Sequence, residues 1–230
     1  MAADARPGIA VVVPTLNEAA RIGQLVRGLE AMGFAEIVVA DGGSSDGTDQ
    51  IVAAISGVRL VRCRPGRGPQ LDAGVRATTS PLLLLLHADT SLPENAVALI
   101  CQTLADPGVS GGCFRLRFDR KGTVLDISAW FSRFETSFTT FGDQAFFLRR
   151  SDFDAIGGIP DIPFLEDLVL RERMKRQGRF VKCRECVETS ARRFETHGAI
   201  RTQLRNLLIL LAYRCGVPAS LLARWYKAVR

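Results

Sequence analysis

Apolar positions in the first 90 residues come in short runs, separated by polar loops and by longer stretches at helical spacing. Residues 9–13 are apolar and β-branched and end at Pro14, which predicts a buried strand. Over residues 18–32, Ile22, Leu25, Val26 and Leu29 recur every three or four positions, the pattern of a helix that Gly33 ends. Residues 37–40 and 58–61 read as further strands, followed by helices to about residue 56 and over residues 71–77. The fourth run, residues 82–86, is five leucines. Consecutive leucines cannot alternate between core and solvent, so this strand is buried on both faces of a parallel sheet. Four such alternations predict an α/β fold, a mostly parallel central sheet flanked by helices.

Beyond residue 90 the pattern changes. Residues 90–104 read as a turn or helix. Residues 110–118 alternate apolar and polar (Cys113, Phe114, Leu116, Phe118), which predicts a strand with one solvent face. An aromatic helix or helix pair over residues 124–139, a short strand at 145–148, a helical turn at 152–156, a helix at 168–176 and a strand at 180–188 follow. Residues 199–230 are amphipathic helix, with Leu204, Leu207, Leu208 and Leu211 against Arg201, Arg205 and Arg214. That Leu face either packs on the sheet domain or lies on anionic lipid. The expected division is a flexible N-terminus (1–8), one α/β domain (9–198) and a helical tail (199–230).

A length of 230 residues suits one core. The net charge of +6 suits an anionic partner without identifying it. Basic residues are dispersed and no aromatic-interleaved basic motif appears, which disfavours nucleic acid. The opening residues lack the apolar core of a signal peptide, and no stretch approaches the ~18 apolar residues of a membrane span. These features predict a cytoplasmic protein, free or peripheral at the inner membrane face. Six scattered cysteines, including the isolated pair Cys183 and Cys186, read as structural.

The strand ends carry the chemistry. Glu18 follows the first strand, Asp41 ends the second and Asp89 follows the fourth, and carboxyl ends of parallel strands are where ligands bind in open α/β sheets. Asp89 either caps the next element or meets a cation. A basic, glycine-rich stretch at residues 64–70 adds a place for phosphate, so the edge suits a nucleotide diphosphate with its metal. Neither a P-loop nor a G-x-G-x-x-G after the first strand is present.

Taken in order, Val12-Val13-Pro14-Thr15-Leu16-Asn17-Glu18, Val39-Ala40-Asp41-Gly42-Gly43-Ser44-Ser45-Asp46-Gly47-Thr48, Leu86-His87-Ala88-Asp89, Gly142-Asp143-Gln144 and Phe164-Leu165-Glu166-Asp167 resemble a family 2 glycosyltransferase of the GT-A fold. The length and tail are similar to a small bacterial subgroup labelled arsenosugar-biosynthesis-associated. The resemblance implies an inverting transferase, most simply of a hexose, that moves a sugar from a UDP- or GDP-sugar to the hydroxyl of a small or lipid-linked acceptor. It implies that Pro14, Thr15, Glu18, Asp41, Arg67, Gly68 and Asp72 bind the nucleotide. Asp89 would hold Mg²⁺ or Mn²⁺, and Gly142, Asp143 and Gln144 would shape the sugar and acceptor pocket. Asp167 would be the general base, with Glu166 its neighbour or substitute. His87 stands where the commoner motif has a second carboxylate, and His87 and His197 are further candidate ligands. The alternatives are a non-catalytic nucleotide-binding module and a sugar-nucleotide nucleotidyltransferase. The latter would ordinarily carry a basic glycine-rich loop directly after the first strand.

Overall fold

The computed structural model describes residues 8–192, 194 and 198–228. Eight strands form one sheet in the order β3-β2-β1-β4-β7-β6-β8-β5. β1 (Ile9–Thr15), β2 (Glu36–Asp41), β3 (Val58–Arg62) and β4 (Leu82–Leu85) run parallel, so their carboxyl ends share one edge. β7 (Phe146–Arg149) reverses direction between β4 and β6 (Val109–Phe118), and β8 (Arg179–Thr189) runs parallel to β6. Helices α1 (Ala19–Ala31), α2 (Thr48–Ala53), α3 (Arg67–Arg76) and α4 (Ala96–Leu104) occupy the first half; α5 (Thr123–Phe131), α6 (Arg150–Ala155) and α7 (Glu166–Gln177) occupy the second.

The leucine run and the β1 residues divide by parity between two cores. Val11, Val13, Leu84 and Leu86 face Ile22, Val26, Leu29 and Ile100 of α1 and α4. Ala10, Val12, Leu83 and Leu85 face Leu71, Val75, Phe153, Leu170 and Met174 of α3, α6 and α7. Layers of helix on both faces explain why no polar position interrupts these strands. At Gly74 a Cβ would stand 2.3 Å from Val12 Cγ1, so the glycine lets α3 lie close on β1.

Several expectations are corrected. Arg67 to Gln70 are the first turn of α3 rather than loop. Residues 90–104 are not one helix: β5 (Thr90–Ser91) pairs with Thr189 and Glu188 of β8, and α4 begins only at Ala96, after Asn95. Asp89 therefore does not cap it. β6 is buried on both faces over its first six residues because β7 and β8 flank it and helices cover it. The aromatic helix stops at Phe131. The helices α8 (Ala199–Arg214) and α9 (Ala219–Ala228) bury Ile209, Leu210 and Leu222 against Leu165 and Leu168 at the start of α7. The stripe of Leu204, Leu207, Leu208 and Leu211 faces outward. No helix among the described residues is long and apolar enough to cross a membrane.

Candidate active site

Two loops at the carboxyl edge are knitted together. Asp41, 2% exposed, accepts the Gly43 and Ser44 amides on Oδ1 (both 2.9 Å) and the Thr15 and Ser44 hydroxyls on Oδ2 (3.2 and 2.5 Å). Burial alone would raise its carboxyl, but these donors outweigh burial and hold it below the ordinary carboxylate range. Asn17, in the left-handed region at φ 58°, accepts the Ser45 amide (2.9 Å), and its own amide donates to Ser44 Oγ (2.9 Å). Asp46 accepts both the Ala19 amide at the start of α1 and the Thr48 amide at the start of α2 (each 3.0 Å). A carboxylate at two helix N-termini opposes the orphan amides and dipoles of both.

Sequence reasoning missed Gln70. It is buried, its Nε2 donates to the Thr15 and Ala40 carbonyls (2.6 and 2.9 Å), and its Oε1 accepts the Gly66 amide (3.2 Å). One side chain thus ties the ends of β1 and β2 to the start of α3. Its only signal in the sequence was a polar residue on the face that Leu71 and Val75 mark as inward.

The first turn of α3 brings Arg67 and Gly68 to a second cluster. Arg67 Nη1 meets Glu166 Oε1 at 3.2 Å, and a Cβ on Gly68 would lie 3.6 Å from Glu166 Cβ. Glu166 is 5% exposed; burial raises its carboxyl even though Arg67 draws it back. Asp167 accepts the Gly142 amide on Oδ2 and the Leu168 amide on Oδ1, both at 2.8 Å. A Cβ at Gly142 would stand 3.2 Å from Asp167 Cβ and 3.4 Å from His87 Nε2. Arg67, His87, Gly142, Glu166 and Asp167 therefore line one narrow cleft between α3, β4 and α7. Leu165 and Ala145, at φ 63° and 54°, adopt the left-handed conformation beside it. Such backbone costs roughly 1–3 kcal/mol per residue and is stored where a site over-determines it.

The remaining candidates are dispersed. Glu18 lies 3.9 Å from Arg192. Asp89 is half-buried in the turn after β4; its carbonyl accepts the Ser190 amide (3.2 Å) and its Oδ1 faces the Thr90 hydroxyl (3.4 Å). Asp72 is ion-paired with Arg76 along α3 (2.7 Å) and stands against Gly158. Asp143 is half-buried within the electrostatic reach of Arg67 and Lys182. Gln144 turns inward: Nε2 donates to the Thr139 carbonyl (2.7 Å) and Oε1 faces Cys113 Sγ (3.6 Å). Pro14 is half-buried at the end of β1. His197 lies outside the described residues.

Among the described residues no group of three or more His, Cys, Asp or Glu forms a ready metal cage. A divalent cation can also take one or two carboxylates and complete its shell with substrate phosphates and water; Asp89 stands half-buried in the turn after β4.

The model for "Glycosyl transferase family 2" matches residues 10–159, and the chain belongs to that family. An uncharacterised glycosyltransferase of Mycobacterium tuberculosis is 36% identical over 92 residues, 40% of each chain. Glycosyltransferase AglJ of Haloferax volcanii is 30% identical over 82 residues, 35% of this chain and 27% of its own. The chain thus aligns with at most two fifths of the length of these relatives. Among solved structures, glucosyl-3-phosphoglycerate synthase of Mycobacterium tuberculosis, in complex with Mn²⁺, UDP and glucosyl-3-phosphoglycerate, has a TM-score of 0.66 at 21% identity, covering 92% of this chain and 81% of that one. Mannosyl-3-phosphoglycerate synthase of Rubrobacter xylanophilus has a TM-score of 0.63 at 20% identity, covering 90% and 74%. The fold is GT-A, with the central sheet and flanking helices expected from the sequence.

Proposed function

We propose that the chain is an inverting, metal-assisted glycosyltransferase that moves a hexose from a UDP- or GDP-sugar to an acceptor hydroxyl, with Asp167 as general base. The observation that carries the reading is Asp167 itself. Two backbone amides fix both its oxygens, while the Arg67–Glu166 pair and His87 line the same cleft. A carboxylate so oriented keeps lone pairs for an acceptor hydroxyl and accepts its proton as the new glycosidic bond forms. With one base and direct displacement of the diphosphate, the configuration at the anomeric carbon inverts.

Pro14, Thr15, Glu18 and Asp41 would receive the nucleoside. All four Asp41 contacts go to its own loops, so a base reaches it by displacing the Ser44 hydroxyl. Arg67 would turn from Glu166 toward the diphosphate, beside Gly68 at the N-terminus of α3. Asp72 serves the same end indirectly, by its pairing along α3. Asp89 would hold Mg²⁺ or Mn²⁺, which supplies charge neutralisation to the departing diphosphate. The structural neighbours bound to Mn²⁺ and UDP support this donor chemistry by analogy. Gly142 and Asp143 would shape the sugar pocket, with Gln144 holding their turn from beneath. The acceptor would be a small or lipid-linked hydroxyl compound, the compartment the cytoplasm, and the subgroup the arsenosugar-associated one.

The test is thermal stability with UDP, GDP, CDP and TDP, each with and without Mn²⁺, because a ligand of the native state raises the melting temperature. The expected result is stabilisation by UDP or GDP that needs Mn²⁺ and vanishes in Asp89→Ala. Stabilisation without metal dependence removes the role of Asp89. Nucleotide binding with no sugar-donor turnover, unaltered by Asp167→Asn, leaves a binding module.

A further inference from the structure

The exposed apolar side chains of this chain are not scattered. On α5 and the segment after it, Ile127, Trp130, Phe131 and Phe134 follow the i, i+3, i+4, i+7 spacing of a buried helix face, yet each is 43–51% exposed. On α8, Ile200, Leu204, Leu207, Leu208 and Leu211 form a second such stripe at 44–65% exposure. Leu221 and Trp225 of α9 are exposed as well, and Trp225 lines a groove with Leu204 and Leu208. The two helices adjoin, since Gln203 Nε2 donates to Ser128 Oγ (2.8 Å), and an apolar groove of about 1140 Å³ runs between Val124, Leu204, Leu208 and Trp225. A continuous surface of this kind marks a docking face.

Its composition points to the occupant. Both tryptophans of the chain are exposed on these helices, Trp225 lining the groove and Trp130 in the aromatic stripe of α5 with Phe131 and Phe134. Residues 198–228 carry five basic residues (Arg201, Arg205, Arg214, Arg224 and Lys227) and no carboxylate. Arg201 and Arg224 are exposed beside the leucine stripe, and the Arg133 guanidinium lies over the Trp130 ring (4.6 Å). Leucine and aromatic side chains, tryptophan among them, flanked by arginine match the interface of an anionic bilayer, where rings sit among headgroups and guanidinium groups meet lipid phosphate.

We infer that the face formed by α5, α8 and α9 docks on the surface of an anionic lipid bilayer, lying in the interface rather than crossing it. The docking stands apart from the transfer reading. Its consequence for the acceptor rests on that reading. Phe141 and Phe164 pack with Tyr226 and Leu210 in the cluster that holds the start of α7, so α8 and α9 carry the docking stripe on their outer side and contact the start of the Asp167 helix on their inner side. The acceptor class is then an amphiphile whose hydroxyl stands at the bilayer surface.

The experiment uses the full chain with phosphatidylcholine vesicles, with and without phosphatidylglycerol, at low and high salt. The only two tryptophans report the face directly. The expected result is a shift of their emission to shorter wavelength, cosedimentation with phosphatidylglycerol vesicles, and quenching by lipids brominated along the acyl chain. Partitioning should fall roughly tenfold in Arg201→Glu/Arg224→Glu and at high salt, and be lost in Leu204→Glu/Leu208→Glu. These leucines point outward, so the nucleotide-induced stabilisation should survive, which separates this proposal from the transferase reading. Brominated-lipid quenching of the unaltered chain needs no variant and reads the face even where a variant fails to fold. The inference is overturned if phosphatidylglycerol vesicles leave emission and sedimentation unchanged, or if binding ignores lipid charge. It also fails if sedimentation gives a dimer that Leu204→Glu/Leu208→Glu dissociates, since the face then belongs to a second copy.

Discussion

The two loop regions on either side of the proposed reaction are held by different physics. On the proposed nucleotide side, the loops after β1 and β2 are fixed by hydrogen bonds that Asp41, Asn17 and Asp46 accept from backbone amides and that Gln70 donates to backbone carbonyls. On the proposed acceptor side, residues 132–141 have little regular structure and are pinned from outside. Lys182 Nζ on β8 donates to the Ser132, Phe134 and Thr139 carbonyls (2.7, 3.0 and 3.2 Å) and to the Thr140 hydroxyl (2.8 Å). Glu135 is gripped by buried Arg171 and by Lys175 of α7. A structure tied by its own side chains keeps its shape, whereas a loop held by distant charges can change sequence as long as the pins remain.

The sharpest way to break this comparison is at the proposed base. Asp167→Asn keeps the shape and the contact to the Gly142 amide but removes the base. Turnover should fall by roughly 10²–10⁴-fold, while nucleotide-induced stabilisation stays unchanged. Initial rates beside melting curves on the same preparation check this. Loss of nucleotide binding together with turnover would mean that Asp167 builds the donor pocket and that the two sides are not separable.

Lys182 tests the acceptor side alone. Burial pulls its ammonium down to about 8, because the charged form is poorly solvated there. Between that value and the unfolded lysine value of about 10.4, the unfolded chain binds the proton more readily than the folded one. Stability should therefore rise as the pH is raised from 8 toward 10.5. Lys182→Met should lose this rise. It should also leave the loop carbonyls without their donor, at a cost of about 2–3 kcal/mol. Urea midpoints at pH 7, 8, 9 and 10 measure both. The nucleotide-induced shift should not move.

What could be read from the sequence follows the same divide. The strands of the first half were legible because runs such as residues 82–86 admit only a buried parallel strand. The Asp41 loop was legible because three of its four contacts, to Gly43 and Ser44, lie within three residues; only the Thr15 hydroxyl comes from another strand. Gln70 was hidden, since its three contacts join segments 55 and 30 residues apart with one nearby amide. The second half was misread where long-range pairing decided the outcome. β6 alternates in sequence yet is covered on both faces, and Thr90 pairs with Thr189 across the chain. The tail was legible as amphipathic helix, but periodicity says only that a stripe exists and not which way it faces; Ile209 and Leu210, between the leucines, are the residues that turn inward.

Gln70→Ala sharpens the nucleotide side. Its removal strands two buried carbonyls and loosens the start of α3, for roughly 1–2 kcal/mol, or ~2–8 °C in a domain of this size. Because Arg67 and Gly68 ride on that turn, nucleotide affinity should weaken as well. Isothermal titration of UDP and GDP against both proteins measures it. A stability loss with unchanged affinity would make Gln70 a fold residue only.

The smallest expected effect concerns acid. Hydrogen bonds hold the Asp41 carboxyl, and likewise Glu36 beside Ser80 and Thr79, below their ordinary values in spite of burial. A depressed folded value means that the stabilisation is complete above the unfolded carboxylate range near 4 and is lost as the pH falls through the folded value. The loss should therefore appear only below about pH 4, where protonated Asp41 can no longer accept from both amides and both hydroxyls. Asp41→Asn, which keeps one acceptor oxygen, should start less stable at neutral pH and lose less on acidification. Urea midpoints from pH 6 to 3 compare the two slopes. If the slopes coincide while Glu36→Gln flattens its own, the acid sensitivity resides at the opposite end of β2, and the Asp41 loop tolerates a neutral carboxyl.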